Sequence, residues 1–150
     1  MRSSPVAERG PGLVERLRAA GCVHAEEEAA LLSEAASGVE LERLVARRAA
    51  GEPLEHVVGW ALFDGHRVAV RPGVFVPRRR TEPMITEAAD SVREPTLVVD
   101  LCCGSGALGL ALARRLAGAG FEVKLHAADL MDEAVECARE NLGDLGEVHL

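Results

Sequence analysis

The first third of the chain places apolar residues at intervals of three and four positions. This spacing predicts three short amphipathic helices, because one face of an α-helix repeats every 3.6 residues. Ser37 and Glu40 have the spacing of a capping box at the start of the third helix, and Gly51 follows its end. We therefore predict a small helical domain over residues 1–55. The apolar positions that carry this prediction are Leu13, Leu17, Ala29, Leu32, Leu41, Leu44 and Val45.

The pattern changes to a β-type after Pro53. The segments HVVGWALF (56–63) and HRVAV (66–70) are rich in β-branched and aromatic residues, and Asp64-Gly65 between them favours a two-residue hairpin turn. A segment punctuated by prolines then leads to Thr81, which we predict to be the N-cap of a helix with Ile85 on its apolar face. Residues 56–80 are accordingly predicted to be a hairpin and a linker, with a domain boundary at the end.

Strand-like and helix-like segments alternate from residue 96 onward. We predict a buried strand at TLVVDLC (96–102), a helix from Ala107 to Leu116 and a second strand at EVKLHAAD (122–129). A helix capped by Asp132 and running to about Leu142 then leads to a third strand at EVHL (147–150). This alternation predicts the start of a doubly wound α/β domain over residues 81–150.

Charge and hydropathy exclude several classes of function. The formal net charge is −7, so a broad attraction to nucleic-acid phosphates is not expected. No apolar run reaches the roughly 20 residues of a membrane span, and the N-terminus has no apolar signal-peptide core. We expect a cytoplasmic, monomeric protein without direct nucleic-acid or membrane binding.

Cysteine and histidine spacing indicates free thiols and no metal site. The four cysteines have no C-x-x-C spacing, which in a reducing compartment favours thiols over disulfides or zinc ligands. Cys102 and Cys103 have no basic neighbour in the sequence that would favour a thiolate, so we predict packing roles for them. Four histidines alternate with apolar residues in predicted strands, where exposed or edge positions are expected: His56, His66, His126 and His149.

A glycine-rich turn follows the first strand of the α/β region. Gly104-Ser105-Gly106 occupies the turn between that strand and its helix, where free backbone N–H groups can face a bound anionic group. Asp129 ends the next strand, at the place where a carboxylate can accept hydrogen bonds from both hydroxyls of a ribose. The order of strand, glycine turn, helix, strand and acid predicts a cofactor site rather than a turn without a ligand.

Two cofactors fit this order. The run from Gly104 to Gly109 matches G-x-G-x-x-G, with Asp129 20 residues farther on, as in an NAD-binding oxidoreductase. Counted from Asp100 instead, the spacing is D-x-x-x-G-x-G, and this acid can orient the loop and receive a cationic amino group. An amino acid and a ribose on one ligand favour S-adenosyl-L-methionine, while NAD binding and a non-catalytic binding module remain alternatives.

The ordered motifs of this chain resemble those of the HemK/PrmC family, the protein-glutamine methyltransferases that modify peptide chain release factors. The resemblance covers residues 40–142. It rests on Gly51-Glu52-Pro53-Leu54, Gly59, Phe63, Pro77-Arg78, Thr81-Glu82, the loop from Asp100 to Gly106, Asp129 and Asn141. The Pro-Arg and Thr-Glu element is the most discriminating part, because generic S-adenosylmethionine enzymes lack it.

The resemblance implies methyl transfer from S-adenosyl-L-methionine to the side-chain amide nitrogen of a glutamine, in the Gly-Gly-Gln loop of a release factor. It also implies a Rossmann-like methyltransferase core, here with its first strands only. A small helical domain, which would recognise the release factor, and then a β-hairpin precede this core. Asp129 would hold the ribose, and Phe75 would approach the cofactor. The loop residues implied at the methionine part are Asp100, Cys102, Cys103, Gly104, Ser105 and Gly106.

The sequence departs from the family pattern at three places. Family members often have Gly-Thr where this chain has Cys102-Cys103, so the loop must accommodate a Cβ, and Arg79-Arg80 replaces a proline and an acid. The family's catalytic Asn-Pro-Pro-Tyr lies after a fourth strand, whereas this sequence ends at Leu150. We therefore expect a fragment that holds the donor, contains no catalytic residue and leaves an apolar sheet face uncovered.

Overall fold

The computed structural model of the chain describes residues 12–150 and divides into two compact units. The first unit ends at Val58, and the second spans Gly59–Leu150. The hairpin predicted as part of a linker thus belongs to the second unit. The second unit contains parallel strands and helices, so the predicted α/β class is confirmed.

The first unit is a small helical bundle. Three predicted helices are confirmed as α1 (Leu13–Ala19), α2 (Ala25–Ala35) and α3 (Gly38–Ala49), and a short α4 (Leu54–Val58) follows. Leu17, Leu32 and Val45, one from each of the first three helices, are completely buried. The apolar periodicity therefore identified the core of this unit correctly.

Two local predictions in the first unit are wrong. Ser37 precedes α3 without a side-chain capping bond, and the Glu40 carboxylate accepts hydrogen bonds from Arg43 rather than from the Ser37 N–H. Residues 56–58 are helical rather than extended, with the Val57 N–H donating to the Pro53 carbonyl at 3.1 Å. Gly59 follows with φ +83°, a left-handed conformation that ends the helical turn before the strand begins.

The second unit begins with the predicted hairpin. Strands β1 (Trp60–Phe63) and β2 (His66–Ala69) pair antiparallel, with Phe63 opposite His66. Asp64 and Gly65 both have positive φ values, 46° and 77°, which is the pattern of a type I′ turn. The prediction made from the Asp-Gly pair is confirmed.

A three-stranded parallel sheet forms the centre of the second unit. Its strands are β3 (Thr96–Leu101), β4 (Val123–Ala128) and β5 (Glu147–His149), in the order β3-β4-β5. The helices are α5 (Glu82–Ser91), α6 (Ala107–Gly118) and α7 (Asp132–Leu142), with 3₁₀ turns at Arg79–Thr81 and Gly143–Leu145. All these strands and helices were predicted, with small differences at their ends.

One of the two predicted helix caps in this unit lies at the predicted position, and the other is displaced by one residue. The Thr81 hydroxyl donates back to the Arg78 carbonyl at 2.6 Å, so its side chain closes the 3₁₀ turn rather than capping α5. Met131 occupies the N-cap position of α7, and Asp132 is the first helical residue. Thr81 therefore occupies the predicted N-cap position of α5 without a side-chain capping bond, whereas the cap of α7 precedes the predicted residue by one position.

The two faces of the sheet differ sharply. Leu125 and Ala127 of β4 face a core shared with α5, α6 and α7 and are buried. Leu97, Val99 and Leu101 of β3 are exposed, with 59%, 56% and 70% of their surface accessible. The strand predicted to be buried at 96–102 is therefore only half-buried, at alternate positions, and an apolar sheet face is uncovered.

Among residues 12–150, none of the helices combines the length and the apolar character that crossing a membrane requires.

Candidate functional site

A cavity of about 370 Å³ opens at the carboxyl ends of β3 and β4. This is the edge at which ligands bind in open α/β sheets, because the loops that follow the strands meet there. Three segments line the cavity: the stretch between β2 and α5, the glycine loop with the start of α6, and the loop from β4 into α7. The residues are Gly73, Val74, Phe75, Pro77, Arg78, Thr81, Cys102, Cys103, Gly104, Ser105, Ala107, Leu108, Asp129, Met131 and Ala134.

The conformation of the glycine loop strongly favours glycine at position 106. This residue has φ +74°, and its N–H donates to the Cys103 carbonyl at 2.8 Å. A Cβ added there would lie 3.2 Å from the Cβ of Ala138 on α7 and 3.4 Å from Leu142 Cγ. Gly106 therefore allows α7 to pack directly against the loop, and α6 begins at the next residue.

Asp129 is bonded to the glycine loop, although it lies 25 positions after Gly104 in the sequence. Its Oδ2 accepts a hydrogen bond from the Gly104 N–H at 2.9 Å, and its Oδ1 accepts one from the Met131 N–H at 3.1 Å. A carboxylate has about four lone-pair sites, so the same oxygens can still accept from hydroxyl groups. The side chain also lines the cavity, where its orientation is fixed by these two backbone donors.

Asn141 ties the hairpin to the glycine loop. Its Nδ2 donates to the Ser105 carbonyl at 2.8 Å and to the Ala69 carbonyl at 2.9 Å, while its Oδ1 accepts from the Ala69 N–H at 2.8 Å. One side chain on α7 thus completes the edge of β2 and orients the loop. Sequence reasoning cited Asn141 only as part of a motif, and its role becomes visible only in the folded chain.

Asp100 lies beside the cavity rather than on its wall. Its Oδ2 accepts from the Gly109 N–H at 2.9 Å, which ties the end of β3 to the first turns of α6. Burial raises the pKa of this carboxyl; the Gly109 hydrogen bond opposes that shift, and the charge of Asp129 adds to it. Asp100 therefore positions the helix, and its predicted contact with the amino group of a ligand stays a prediction.

Gly109, the third glycine of the dinucleotide pattern, has a packing role. A Cβ at this position would lie 2.9 Å from Asp100 Oδ2 and 3.1 Å from Leu125 Cδ1. The close approach of α6 to the sheet accounts for this glycine whether or not a dinucleotide binds.

The two adjacent cysteines differ in conformation and in exposure. Cys102 is exposed and has φ +57°, a left-handed conformation that disfavours residues with a Cβ. Cys103 is buried, and burial, together with the charges of Asp100 and Asp129, raises the pKa of its thiol to about 11. A thiol with this pKa stays protonated at neutral pH, which supports a wall role over a nucleophilic one.

Five of the seven predicted site residues line the cavity, and the other two lie directly behind it. Those on its wall are Cys102, Cys103, Gly104, Ser105 and Asp129. Phe75 is also on the wall, 66% exposed, with the Arg78 guanidinium 5.6 Å from the centre of its ring. Sequence reasoning missed Met131 and Ala134, although the loop after a parallel strand that ends in an acid is where such residues are expected.

The comparison with known proteins gives homologues of one main kind. No protein-family model matches the chain. A release factor glutamine methyltransferase of Streptomyces coelicolor is 44% identical over 103 residues, which cover 66% of this chain and 35% of the relative. A protein of the same name from Bifidobacterium longum is 32% identical over 155 aligned positions, which cover 86% and 51%. These matches confirm the resemblance that the motifs indicated.

One relative of the chain is named for a different methyl acceptor. The 4-amino-L-phenylalanine/4-methylamino-L-phenylalanine methyltransferase of Streptomyces pristinaespiralis is 39% identical over 109 residues, which cover 68% of this chain and 37% of that relative. The chain spans about a third to a half of the length of the curated relatives that it matches.

Proposed function

We propose, from the premise that this chain is a homologue of the release factor glutamine methyltransferases, that its second unit binds S-adenosyl-L-methionine. The unit would form the first part of a Rossmann-like methyltransferase core. The reaction we assign to the whole enzyme is methyl transfer to the side-chain amide nitrogen of a glutamine in a release factor, within its Gly-Gly-Gln loop.

The observation that carries the proposal is the hydrogen bond between Asp129 and Gly104 on the cavity wall. It places a fixed carboxylate beside a glycine loop whose helix begins at Ala107. Asp129 would accept hydrogen bonds from the ribose hydroxyls of the cofactor. The N–H groups of Ala107 and Leu108, in the first turn of α6, lie at the positions that favour a carboxylate such as that of the methionine part.

The methyl acceptor requires more than this unit offers. An amide nitrogen is a weak nucleophile because its lone pair is delocalised into the carbonyl, so it must be held in line with the sulfonium methyl group by placed acceptors. The 150 residues contain no Asn-Pro-Pro-Tyr, the motif that the resemblance assigns to this task. We propose that these residues bind the donor without transferring its methyl group.

The relatives are named for different methyl acceptors, since the S. pristinaespiralis relative is named for an aromatic amino acid. We favour a release factor because several relatives carry that name, at 31–49% identity. Recognition of the release factor by the helical unit, cytoplasmic location and a monomeric state remain predictions.

Calorimetric titration of the purified chain tests the proposal. We expect S-adenosylhomocysteine to bind with a dissociation constant in the micromolar range and NAD⁺ not to bind. Asp129→Asn should lower the affinity for S-adenosylhomocysteine at least about tenfold, the loss expected for one charge-assisted hydrogen bond. Asp132→Asn, at an exposed acid outside the cavity, is the matched control and should bind as the original chain does.

Three results would contradict parts of the proposal. Tighter binding of NAD⁺ would favour the oxidoreductase alternative. Binding of neither ligand by a folded chain would favour a non-catalytic binding module. Methylation of a release factor by the pure 150-residue chain, measured with radiolabelled donor, would overturn the assignment of the transfer step to residues outside it.

A further inference from the structure

Three potential metal ligands converge on β4 and β5, on a face of the sheet that the proposed function does not use. His126 lies opposite Glu147 in the parallel register, and His149 is two residues beyond Glu147 on the same face. Each of the three residues offers one ligand atom, and these atoms all lie within 4.8 Å of one another. Sequence reasoning expected ordinary positions for both histidines, because the pairing of β4 with β5 is not visible in the sequence.

The distances between these atoms are close to those within a metal coordination sphere. His126 Nδ1 is 3.0 Å from His149 Nε2 and 3.7 Å from Glu147 Oε2. Ligand bonds of 2.0–2.2 Å in a tetrahedral site place neighbouring ligand atoms about 3.3–3.6 Å apart. Small side-chain rotations are therefore enough to direct all three atoms at one ion.

The two imidazole rings already point their nitrogens at each other. The ring planes differ by 18°, and the centroids are 5.2 Å apart, which equals the 3.0 Å between the nitrogens plus the two ring radii. Both ring nitrogens therefore face the same space between the two strands, and a metal ion bound there would replace the contact between them. His149 and Glu147 are exposed, so both can rotate to bring their lone pairs to a tetrahedral angle.

We propose that His126, Glu147 and His149 form a binding site for a divalent transition metal ion, with Zn²⁺ as the best fit. Two imidazoles and one carboxylate are a ligand set that zinc accepts, and a water molecule or another anion completes the fourth position. The harder ions Mg²⁺ and Ca²⁺ prefer oxygen ligands and should not compete. The ligand set carries one negative charge, which leaves the occupied site with a net charge of +1.

Binding at this site would also hold the end of β5 in place. The His149 carbonyl accepts a hydrogen bond from the Asp129 N–H at 3.2 Å, and the Val148 carbonyl accepts one from Arg139 at 3.2 Å. Since β5 is only three residues long, a metal bridge to β4 adds a constraint to a short strand. Zinc should therefore raise the thermal unfolding temperature of the chain.

The test is a calorimetric titration of the untagged chain with Zn²⁺ at about pH 7.5, with His149→Gln, Glu147→Gln and His66→Gln as variants. His66 is an exposed strand histidine outside the cluster and serves as the matched control. We expect one zinc per chain, a loss of affinity of more than about tenfold in His149→Gln, a smaller loss in Glu147→Gln and none in His66→Gln. Circular dichroism of each variant checks that it is folded.

Cobalt separates this site from binding by thiols, since Cys102 is also exposed. Co²⁺ bound by two imidazoles and a carboxylate should give visible d–d bands without the near-ultraviolet thiolate charge-transfer band. The proposal is overturned if zinc does not bind up to millimolar concentration, if His149→Gln binds zinc as tightly as His66→Gln, or if the thiolate band appears at one equivalent of cobalt.

Discussion

The pKa of a carboxyl group shifts in opposite directions in the two units, because its hydrogen-bond donors differ. In the helical unit, the Glu28 carboxylate receives two hydrogen bonds from the Arg48 guanidinium, at 2.6 and 3.1 Å. The Arg48 hydrogen bonds lower the pKa of Glu28, against the opposing effect of burial. In the α/β unit, Asp100 receives a backbone N–H from Gly109, and burial raises its pKa.

This difference indicates where stability and function reside. The helical unit pairs Arg16 with Glu42 and Arg48 with Glu28 across helices, and it pairs Arg47 of α3 with Glu52 in the segment that follows that helix. The α/β unit keeps carboxyl groups at its strand ends on backbone donors and places a left-handed cysteine between them. Strain and carboxyl groups without a cationic partner are common at functional sites, which supports the cofactor site that we propose in the second unit.

The largest expected effect comes from Gly106→Ala in the α/β unit. The substitution forces a Cβ into contact with Ala138 at a backbone φ of +74°. We expect the free energy of unfolding to fall by about 3 kcal/mol, from backbone strain and overpacking together. Chemical denaturation would measure this loss, and binding of S-adenosylhomocysteine should weaken at least tenfold in the folded fraction.

Gly120→Ala is the matched control for that substitution. Gly120 also has a positive φ, 88°, but a Cβ there meets nothing within 4 Å. We expect a loss of about 1 kcal/mol from backbone strain alone, with ligand affinity unchanged. Equal losses in the two variants would mean that contact between the loop and α7 contributes nothing, which contradicts the account of the loop.

The next effect is expected in the helical unit, from Glu28→Gln. The change leaves the partly buried Arg48 guanidinium without its charged partner, which should lower the free energy of unfolding by about 2 kcal/mol at neutral pH. Glu40→Gln removes an exposed pair with Arg43 and should cause no measurable change. A loss as large in Glu40→Gln as in Glu28→Gln would contradict the importance of burial.

The same pair sets a pH dependence with a definite sign. Because the folded pKa of Glu28 lies below its unfolded value, its stabilisation is fully present above the unfolded value of about 4.3. It is lost as the pH falls through the lower folded pKa. The difference in stability between the original chain and Glu28→Gln should therefore shrink on acidification below about pH 4, and a difference that grows there would contradict the pairing.

The smallest effect is a gain, from Cys102→Gly. Glycine adopts the φ of +57° without the steric cost that a Cβ imposes, and its greater unfolded-state entropy offsets part of that benefit. We expect a net stabilisation of about 0.5–1 kcal/mol. Cys102→Ala keeps a Cβ and should show no gain, so a gain of equal size in both variants would assign the effect to loss of the thiol instead.

Local chemistry explains most of what the sequence predicted correctly. Asp64-Gly65 determines the hairpin because both residues tolerate positive φ, and a strand that ends in a glycine turn fixes the place of the cavity. The helical stretch at 56–58 was missed because β-branched residues favour a strand locally, whereas Pro53 and Gly59 bound a single helical turn.

Contacts between distant segments explain the rest. The direction of the Asp100 carboxyl depends on how closely α6 approaches β3, and the three bonds of Asn141 depend on where α7 lies against the hairpin. The meeting of His126 with His149 follows from the register of β4 and β5. None of these is encoded by spacing within one segment, so no periodicity could indicate them.

The most direct test of the central claim is a ¹H–¹⁵N correlation spectrum of the labelled chain titrated with S-adenosylhomocysteine. The amide signals of Gly104, Ser105, Gly106 and Asp129 should shift together and saturate, while those of Leu97 and Val99 on the uncovered sheet face stay in place. Saturating shifts confined to that sheet face or to helices α1–α3, with the loop amides unchanged, would contradict the assignment of the cofactor site.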